Sequence, residues 1–299
     1  MKRVGFAGLG AIGRPMARRL LDAGFEVAVF DVVPENAREL VELGAVEARS
    51  PEEAARGAEA VVVMVATPEQ ALAAILGDRG VSSGLGRGSP LILTSTVGPK
   101  TVREIRERLG SMGDQLLDAP VSGGTERART GDLLIMAGGE EGTFAAARPV
   151  LEAMGSRIEW IGPEVGDGQA MKLVNQLLCG VHLAAAGEAL AFAEAMGLDP
   201  RRAYDVVSKG AANSFMMDDR APRMLSDGPM SVESAMDIFV KDTGLVVDAA
   251  RENGMRPDLA MAANGVFSEG SEAGMGREDD SRVRMVYRMR RADEGTEAG

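Results

Sequence analysis

Three glycines near the start of the chain have the spacing of a phosphate-binding loop. Gly8, Gly10 and Gly13 form a G-x-G-x-x-G pattern that follows the apolar run Val4–Leu9 and opens a helical pattern. In this context the first glycine permits a tight turn, the second lets a pyrophosphate approach the backbone, and the third lets the helix pack on the strand. The N–H groups at the start of the helix would then face the anion. The pattern therefore predicts a dinucleotide site; the alternative is a glycine-rich loop that binds no ligand.

An acidic residue at the end of the second predicted strand bears on which dinucleotide binds. Asp31 ends the run Glu26–Asp31, near the offset of about 20 residues at which a carboxylate accepts hydrogen bonds from the adenosine ribose. A carboxylate there repels a 2′-phosphate, and the next residues, Val32 and Val33, supply no arginine to bind one. We expect NAD as the cofactor, with NADP disfavoured. The alternative is that Asp31 caps the helix that begins near Pro34.

Hydroxyl side chains follow two further predicted strands. Thr67 comes after the apolar run Ala60–Ala66, and residues 94–96 (Thr-Ser-Thr) come after another short apolar run. Ligands of open α/β sheets lie beyond the carboxyl ends of the strands, so Thr67 and Thr96 are expected near the nicotinamide end of the cofactor. Ordinary turn chemistry is the alternative, and for Ser95 the two interpretations stay open.

A serine followed by two glycines offers donors for a carboxylate. Residues 118–124 (DAPVSGG) begin at the end of a predicted strand, and Ser122, Gly123 and Gly124 would present a hydroxyl and successive backbone N–H groups. Such a backbone nest binds anions, so the segment favours a substrate that carries a carboxylate. A purely structural strand-to-turn segment is the alternative.

Lys172 is the candidate for proton transfer. It shares one helix face with Asn175, near the start of a predicted helix that carries no further charge before Glu188. Its ammonium either reaches solvent along an apolar face or is held in a site, and residue types alone leave both interpretations open.

The rarest residue types exclude several other chemistries. The 299 residues include one cysteine, Cys179, and one histidine, His182. A disulfide within the chain is therefore impossible, and a Cys/His zinc site lacks ligands, so we expect no metal. A serine or cysteine nucleophile would depend on His182 alone. The net charge of −12 and the aromatic content of 4% argue against nucleic-acid binding.

Neither a secretion signal nor a membrane span is expected. The apolar stretch at the N-terminus contains glycines, meets Arg14 and lacks a cleavage pattern. The charge-free stretch Leu173–Gly187 is shorter than the roughly 18 apolar residues that a span needs. We expect a cytoplasmic protein without a membrane partner.

The order of the apolar patterns predicts an α/β fold followed by helices. Short apolar runs alternate with helical patterns, which implies parallel strands with right-handed crossovers in a doubly wound Rossmann-type sheet. A proline-free helical stretch from Gln169 to Met196 follows, and only helical patterns come after it. The predicted parts are a dinucleotide-binding domain (1–163), a connecting helix (164–196), an all-α substrate and dimerisation domain (197–291) and a disordered tail (292–299).

Four segments together resemble one enzyme family. GLGAIGRPMA at 8–17, DAPVSGG at 118–124, GDGQAMKLVNQ at 166–176 and KDTGLVVDAA at 241–250 are similar in order and spacing to the signature segments of the β-hydroxyacid dehydrogenase family. The resemblance covers nearly the whole chain. It implies a Rossmann domain, a long connecting helix, an all-helical domain and a homodimer or homotetramer. Thr243 departs from the pattern, because the family usually has leucine there, and this is a local packing difference.

The resemblance implies a role for each matching residue. Lys172 matches the catalytic lysine, which takes the proton of the substrate hydroxyl while a hydride passes to NAD. The residues expected at the substrate are Ser122, Gly123, Gly124, Asn175 and Lys241. The residues expected at the cofactor are Gly8, Gly10, Ala11, Ile12, Gly13, Asp31, Thr67, Thr96 and Lys241. Imine-reducing relatives usually replace the lysine, so its presence favours alcohol oxidation.

Residues 175–190, 213–225 and 237–251 are most similar to the L-threonate dehydrogenase branch, which oxidises four-carbon sugar acids at C2. This similarity implies substrate contacts at Asn213, Ser214 and Phe215, with a helix cap and a core patch as the alternative. We expect an NAD-dependent oxidoreductase that acts on the CH–OH group of a small hydroxy acid such as L-threonate. The alternatives are a 3-hydroxyisobutyrate dehydrogenase, a tartronate semialdehyde reductase, and an NAD-binding module without turnover.

Overall fold

The computed structural model describes residues 2–226, 228 and 231–297, with side chains through Arg291. The chain forms two compact units, residues 1–172 and 173–299. The predicted division at residues 163 and 196 is finer than this and stays a prediction.

The first unit is built on a sheet that has nine strands within residues 2–172. They are β1 (Arg3–Ala7), β2 (Glu26–Phe30), β3 (Val46–Glu47), β4 (Ala60–Val63), β5 (Leu91–Leu93), β6 (Leu116–Asp118), β7 (Val121–Ser122), β8 (Leu133–Gly138) and β9 (Gly155–Gly162). The order across the sheet is β3-β2-β1-β4-β5-β6-β8-β7, and β9 pairs with β8. The order 3-2-1-4-5-6 is that of the Rossmann dinucleotide fold, in which the ligand crevice opens where the strand order reverses, between β1 and β4.

The predicted parallel pairing is confirmed from β3 through β6 and between β8 and β9. It is wrong for β8, which runs antiparallel to both β6 and β7. Ten residues separate β7 from β8, fewer than the dozen or so that a parallel crossover needs. The sequence pattern misses β7 itself, because two residues give no periodicity.

Helices cover both faces of this sheet. They are α1 (Gly13–Asp22), α2 (Arg38–Glu42), α3 (Pro51–Ala55), α4 (Pro68–Leu76), α5 (Val81–Gly84), α6 (Pro99–Leu109), α7 (Gly124–Thr130) and α8 (Glu141–Met154). Short 3₁₀ turns occur at Pro34–Ala37 and Gly110–Gln115. One hydrophobic cluster includes Leu20 of α1 and Leu151 of α8, and a second includes Ile75 of α4 and Ile105 of α6. All four residues of β4 are fully buried, as expected of a parallel strand covered on both faces.

The second unit is helical throughout its described residues. The long helix α9 (Asp167–Ala195) runs into it, and α10 (Pro200–Val207), α11 (Phe215–Met224), α12 (Met236–Glu252), α13 (Asp258–Gly270) and α14 (Val283–Glu297) follow. A π-turn at Ser271–Met275 and a 3₁₀ turn at Asp280–Arg282 connect α13 to α14. The core includes Leu183 and Leu190 of α9, and the rings of Phe239 and Phe267, whose centroids lie 5.2 Å apart.

The prediction of a helix from Ser231 is wrong at its start, because α12 begins at Met236. The preceding residues bond instead to a distant segment: Oδ2 of Asp279 accepts from the N–H of Glu233, and the N–H of Asp280 donates to the carbonyl of Ser234. The predicted tail 292–299 begins inside α14, and Ala298 and Gly299 lie outside the described residues.

By length and composition alone, α9 is a helix that could cross a membrane. A core helix of a soluble protein passes the same test, and one face of α9, with Leu183 and Leu190, is buried in the second unit. Nothing in the packing of this helix requires a membrane.

Candidate active site

Two of the three glycines in the loop after β1 are required by the backbone around them. Gly8 has φ of +96°, and a Cβ at this position would lie 2.1 Å from the carbonyl oxygen of Met64. A Cβ on Gly13 would lie 2.1 Å from the carbonyl oxygen of Gly8. Gly10 differs, because a Cβ there would meet no atom within 4 Å. The loop therefore leaves space at Gly10, beside the start of α1, where a pyrophosphate could approach the backbone.

Asp31 ties the end of β2 to this loop. Its Oδ2 accepts a hydrogen bond of 2.6 Å from the N–H of Leu9, and its Oδ1 accepts from the N–H of Val33 at 2.8 Å and from Nδ2 of Asn36 at 3.1 Å. The carboxylate remains partly exposed, and the side chain of Val32 is 83% exposed. The bonds to Val33 and Asn36 are the turn chemistry that the sequence left open, and the bond to Leu9 is a further one that fixes the loop.

The hydroxyls after β4 and β5 mostly have structural partners. Thr67 caps α4 by accepting from the N–H of Gln70 at 3.2 Å, and Ser95 accepts from the N–H of Val65 at 2.7 Å. Ser95 is fully buried, and its hydroxyl bonds to the loop after β4 and not within its own turn. Thr96 is half-buried, and its place at the cofactor, like that of Thr67, remains a prediction.

The expected carboxylate loop lies between β7 and α7. Ser122 ends β7 and is half-buried. Gly123 and Gly124 follow with φ of +144° and +72°, a backbone that only glycine adopts without strain. A Cβ on Gly123 would lie 2.8 Å from the side chain of Arg127, whereas one on Gly124 would meet nothing within 4 Å. The second glycine therefore leaves its backbone open to a ligand, and the first keeps the turn compact.

Asp118 and Gln169 form a buried joint that the sequence did not single out. Asp118 ends β6, and its Oδ1 and Oδ2 accept from the N–H groups of Gly166 at 2.8 Å and Gln169 at 2.7 Å. Burial raises the pKa of Asp118 to about 7, although these two N–H groups oppose the shift. The available signal was positional: each residue lies inside a segment that carries the family resemblance.

The side chain of Gln169 completes this joint. Its Oε1 accepts from the N–H groups of Val97 and Gly98, both at 3.0 Å, and its Nε2 donates to the carbonyl of Ser95 at 2.9 Å. Three backbone groups of the loop after β5 are thus bonded to one fully buried amide.

Lys172 follows Gln169 by three residues, on the same face of α9. It is 5% exposed, so the interpretation in which its ammonium lies in bulk solvent is excluded. A lysine held in a site is one of the side-chain types that can accept the proton of a substrate hydroxyl.

The second unit holds a buried polar chain that includes two expected substrate contacts. Nδ2 of Asn175 donates to Oε1 of Gln176 at 2.8 Å, and Nε2 of Gln176 donates to Oδ2 of Asp242 at 2.5 Å. The other carboxylate oxygen of Asp242 lies 2.7 Å from Nζ of Lys241. Gln176 and Asp242 are both buried. Asn175 and Lys241 are therefore linked through two residues that the sequence did not assign to the site.

Three further candidates for substrate contact, Asn213, Ser214 and Phe215, lie at the start of α11. Ser214 caps this helix by accepting from the N–H of Met217 at 3.1 Å, and Nδ2 of Asn213 donates to Oδ2 of Asp218 at 2.8 Å. Phe215 is 55% exposed, which does not fit the core patch considered as an alternative. The helix cap accounts for Ser214, and substrate contact stays a prediction for all three residues.

The single cysteine and the single histidine, Cys179 and His182, lie in no candidate metal site among the described residues. In the described part of the chain no group of three His, Cys, Asp or Glu side chains could hold a metal ion. Cys179 is half-buried and accepts from Nδ2 of Asn175 at 3.4 Å, and His182 is exposed on α9.

Comparisons with known proteins match nearly the whole chain. Residues 3–162 match the model for the NAD-binding domain of 6-phosphogluconate dehydrogenase, and residues 166–287 match that for the NAD-binding region of NADP-dependent 3-hydroxyisobutyrate dehydrogenase. The chain is 38% identical over 286 residues to a protein from Cupriavidus necator named L-threonate dehydrogenase, with 96% of each covered.

Solved structures give the same result. A Salmonella typhimurium structure titled 3-hydroxyisobutyrate dehydrogenase is 38% identical, with a TM-score of 0.88 over 96% of this chain and all of that one. A Mycobacterium tuberculosis 3-hydroxyisobutyrate dehydrogenase is 31% identical, with a TM-score of 0.82 over 96% of this chain and 99% of that one.

Proposed function

Because the chain belongs to the β-hydroxyacid dehydrogenase family and to its L-threonate dehydrogenase branch, we propose that its substrate is a four-carbon sugar acid such as L-threonate, oxidised at C2. The protein is an NAD(P)-dependent hydroxy-acid dehydrogenase, an oxidoreductase that acts on CH–OH groups. The substrate, the role of each residue and the preference for NAD are the parts that we propose.

Each part of the reaction has a group suited to it. The Gly123 and Gly124 backbone, with the hydroxyl of Ser122, binds the substrate carboxylate, and the Asn175 amide orients the substrate. The amine of Lys172 accepts the proton of the C2 hydroxyl as the C2 carbonyl forms. When bound, NAD supplies the nicotinamide that takes the hydride from C2. Lys241 provides positive charge for the anionic substrate, which matters because the chain carries a net charge of −12.

Relatives named L-threonate dehydrogenase carry the choice of substrate, because two of them are 38% and 37% identical to this chain over 286 and 285 residues. The polar chain from Asn175 through Gln176 and Asp242 to Lys241 supports this choice. A sugar acid offers several hydroxyls for such groups, whereas 3-hydroxyisobutyrate bears a methyl group and favours apolar surroundings. A site built from hydrogen-bonding groups discriminates strongly against a ligand that leaves those groups unpaired. The polar chain is therefore suited to L-threonate. The second candidate is 3-hydroxyisobutyrate, which a solved structure 38% identical and a bovine relative 32% identical support by name.

The test is reduction of NAD with a panel of C3–C6 hydroxy acids, including L-threonate, D-threonate, 3-hydroxyisobutyrate and glycerate. We expect the highest kcat/KM with L-threonate. A higher value with 3-hydroxyisobutyrate would replace L-threonate by the second candidate, and a higher value with glycerate would indicate the tartronate semialdehyde reaction. NAD binding without turnover on any member would favour a binding module.

We also propose a homodimer or homotetramer. Apolar side chains recur along one face of α9 at helical spacing, and Val174, Leu178 and Phe192 are at least half exposed in the single chain. Monomeric soluble proteins rarely expose a continuous apolar face of this kind. A second copy of the chain would cover it. The comparisons with bacterial dehydrogenases favour a soluble protein, and its cytoplasmic location remains a prediction.

A further inference from the structure

We propose that Asp118 and Gln169 are positioning residues for this reaction: together they fix the start of α9, and with it Lys172, against the carboxyl ends of β5 and β6. The proposal rests on the proposed role of Lys172 as the base. Every contact that carries it lies within the first unit.

Asp118 takes the place of a local N-cap for α9. A helix leaves its first four N–H groups without partners inside the helix, and a nearby side chain usually supplies an acceptor. Here both oxygens of Asp118 accept, one from Gly166 and one from Gln169. A carboxylate at this end also complements the positive end of the helix dipole. Because the acceptor belongs to β6, the helix start is fixed to the sheet and not only capped.

Gln169 fixes the same helix turn to a second strand. Its amide bonds to three backbone groups of the loop that follows β5, contributed by Ser95, Val97 and Gly98. All of these groups are buried, so each would lack a partner if the amide were removed. The loop and the helix turn therefore hold each other in one arrangement.

The backbone of the first turn of α9 also packs closely against the neighbouring strands. A Cβ on Gly168 would lie 2.4 Å from the carbonyl oxygen of Met136 and 2.6 Å from that of Asp118. A Cβ on Gly138 would lie 2.5 Å from the N atom of Gly168. The first turn of α9 thus touches β6 and β8 through backbone atoms, and it cannot move without breaking these contacts.

The position of Lys172 follows from this arrangement. It lies one helical turn beyond Gln169. Asp118 is also four residues before Ser122, so one carboxylate ties the strand that leads to the carboxylate loop to the helix that carries the base. A shift of about 1 Å in the position of a catalytic group can reduce a rate by roughly 100-fold. The hydrogen bonds of Asp118 and Gln169 prevent such a shift of Lys172.

The test compares Gln169→Leu with Gln115→Leu. Gln115 is a matched control, because its Nε2 donates to the carbonyls of Gly86 and Ser89 and its Oε1 accepts from the N–H of Gly88. It therefore also makes three backbone bonds with one loop, but at the opposite end of β5. Kinetics use the panel substrate with the highest turnover, and unfolding midpoints and NAD affinity are measured for both variants.

We expect Gln169→Leu to lower kcat by about 10- to 100-fold while KM for the hydroxy acid and Kd for NAD change less than about threefold. Gln115→Leu should also lose stability, though less because Gln115 is only half-buried, and it should keep kcat within about twofold. Equal kcat values for the two variants would overturn the proposal. If Gln169→Leu does not fold, Gln169→Glu keeps the acceptor for Val97 and Gly98 and replaces the donor to Ser95 by a second acceptor that faces the Ser95 carbonyl. Wild-type kcat in that variant would overturn the proposal equally.

Failure of the positioning role is distinguishable from failure of the proposed function. Lys172→Ala is assayed in parallel with the same substrate. If Lys172→Ala stays active, the lysine is not the base, and the part of the proposed function that assigns proton transfer to it is wrong. If Lys172→Ala is inactive while Gln169→Leu matches Gln115→Leu, only the positioning role is wrong.

Discussion

Nε2 of Gln176 donates a hydrogen bond of 2.5 Å to Oδ2 of Asp242, joining α9 to α12 inside the second unit. The bond leaves the other oxygen of the carboxylate to the ammonium of Lys241, 2.7 Å away. It also fixes the amide of Gln176, so that its oxygen faces Nδ2 of Asn175. Two expected substrate contacts are thus oriented by one buried carboxylate, whose removal would leave the amide and the ammonium without their acceptor.

Asp242→Asn should raise KM for the hydroxy acid by roughly tenfold, because the ammonium of Lys241 loses its buried ion-pair partner and the amide chain can reverse. NAD affinity should stay near the wild-type value. Asp248→Asn is the matched control, because Asp248 is exposed on the same helix. Steady-state kinetics on both variants check this, and equal KM values would contradict the ordering of Lys241 by Asp242.

Lys172→Ala should lower kcat by roughly 10²–10⁴-fold, since the proton of the substrate hydroxyl loses its acceptor. NAD should still bind, because the glycine loop and Asp31 are unchanged. The measurement is single-turnover NAD reduction together with an NAD titration of the same preparation. Lys100→Ala, on the exposed start of α6, controls for loss of a positive charge. Nearly full activity of Lys172→Ala would refute the role of this lysine.

Asp31→Ala should lower the preference for NAD over NADP by about tenfold or more, since a carboxylate repels the 2′-phosphate by a few kcal/mol at partly exposed sites. The bond from Leu9 to Asp31 adds a second expectation. NAD affinity itself should fall, because the glycine loop loses a fixed contact. The kcat/KM values for the two cofactors check the prediction, and Asp22→Ala, in the exposed last turn of α1, is the control. An unchanged ratio would rule out Asp31 as the residue that selects the cofactor.

The sequence predicts the architecture well because the periodicity of the apolar residues carries it. The wholly apolar run Ala60–Ala66 indicates a strand covered on both faces, and the spacing of Gly8, Gly10 and Gly13 indicates a tight strand-to-helix turn. The sequence also indicates Lys172, through the motif around it. What it cannot indicate are pairings between distant polar residues: nothing in the residue types links Asp118 to Gly166 or Gln176 to Asp242. Such contacts depend on the register of elements that are about 50 to 65 residues apart, which no local pattern records.

The buried carboxyl of Asp118 should make stability depend on pH. Burial raises its pKa to about 7, whereas the unfolded chain has the ordinary value near 3.9. Between these values the folded protein binds the extra proton, so the free energy of unfolding should fall as the pH rises from about 4 to about 7. The decrease from this group is on the order of 4 kcal/mol, at about 1.4 kcal/mol for each pKa unit.

Asp118→Asn removes the titration, because the amide has nearly the same shape and no ionisable proton. It also loses one of the two acceptors for Gly166 and Gln169, a cost that does not change with pH, so only the pH dependence of the difference reports the raised pKa. Unfolding midpoints of the wild type and the variant are measured from pH 4 to pH 8. We expect the wild type to lose stability relative to the variant as the pH rises from about 4 to about 7. A difference that does not change with pH would contradict the raised pKa, and one that grows in favour of the wild type would reverse its direction.

The exposed apolar face of α9 gives a test of the proposed homodimer or homotetramer. Leu178 and Phe192 lie on that face at helical spacing, and both are at least half exposed in the single chain. Leu178→Glu should therefore dissociate the homo-oligomer, because a carboxylate buried against a second copy loses its hydration without gaining a partner. Val206→Glu, at an equally exposed valine on α10, should leave the assembly intact. Sedimentation at several protein concentrations distinguishes the outcomes. If both variants keep the mass of an oligomeric wild type, the interface between copies is on another surface. If the wild type is itself a monomer, the proposed homo-oligomer is wrong.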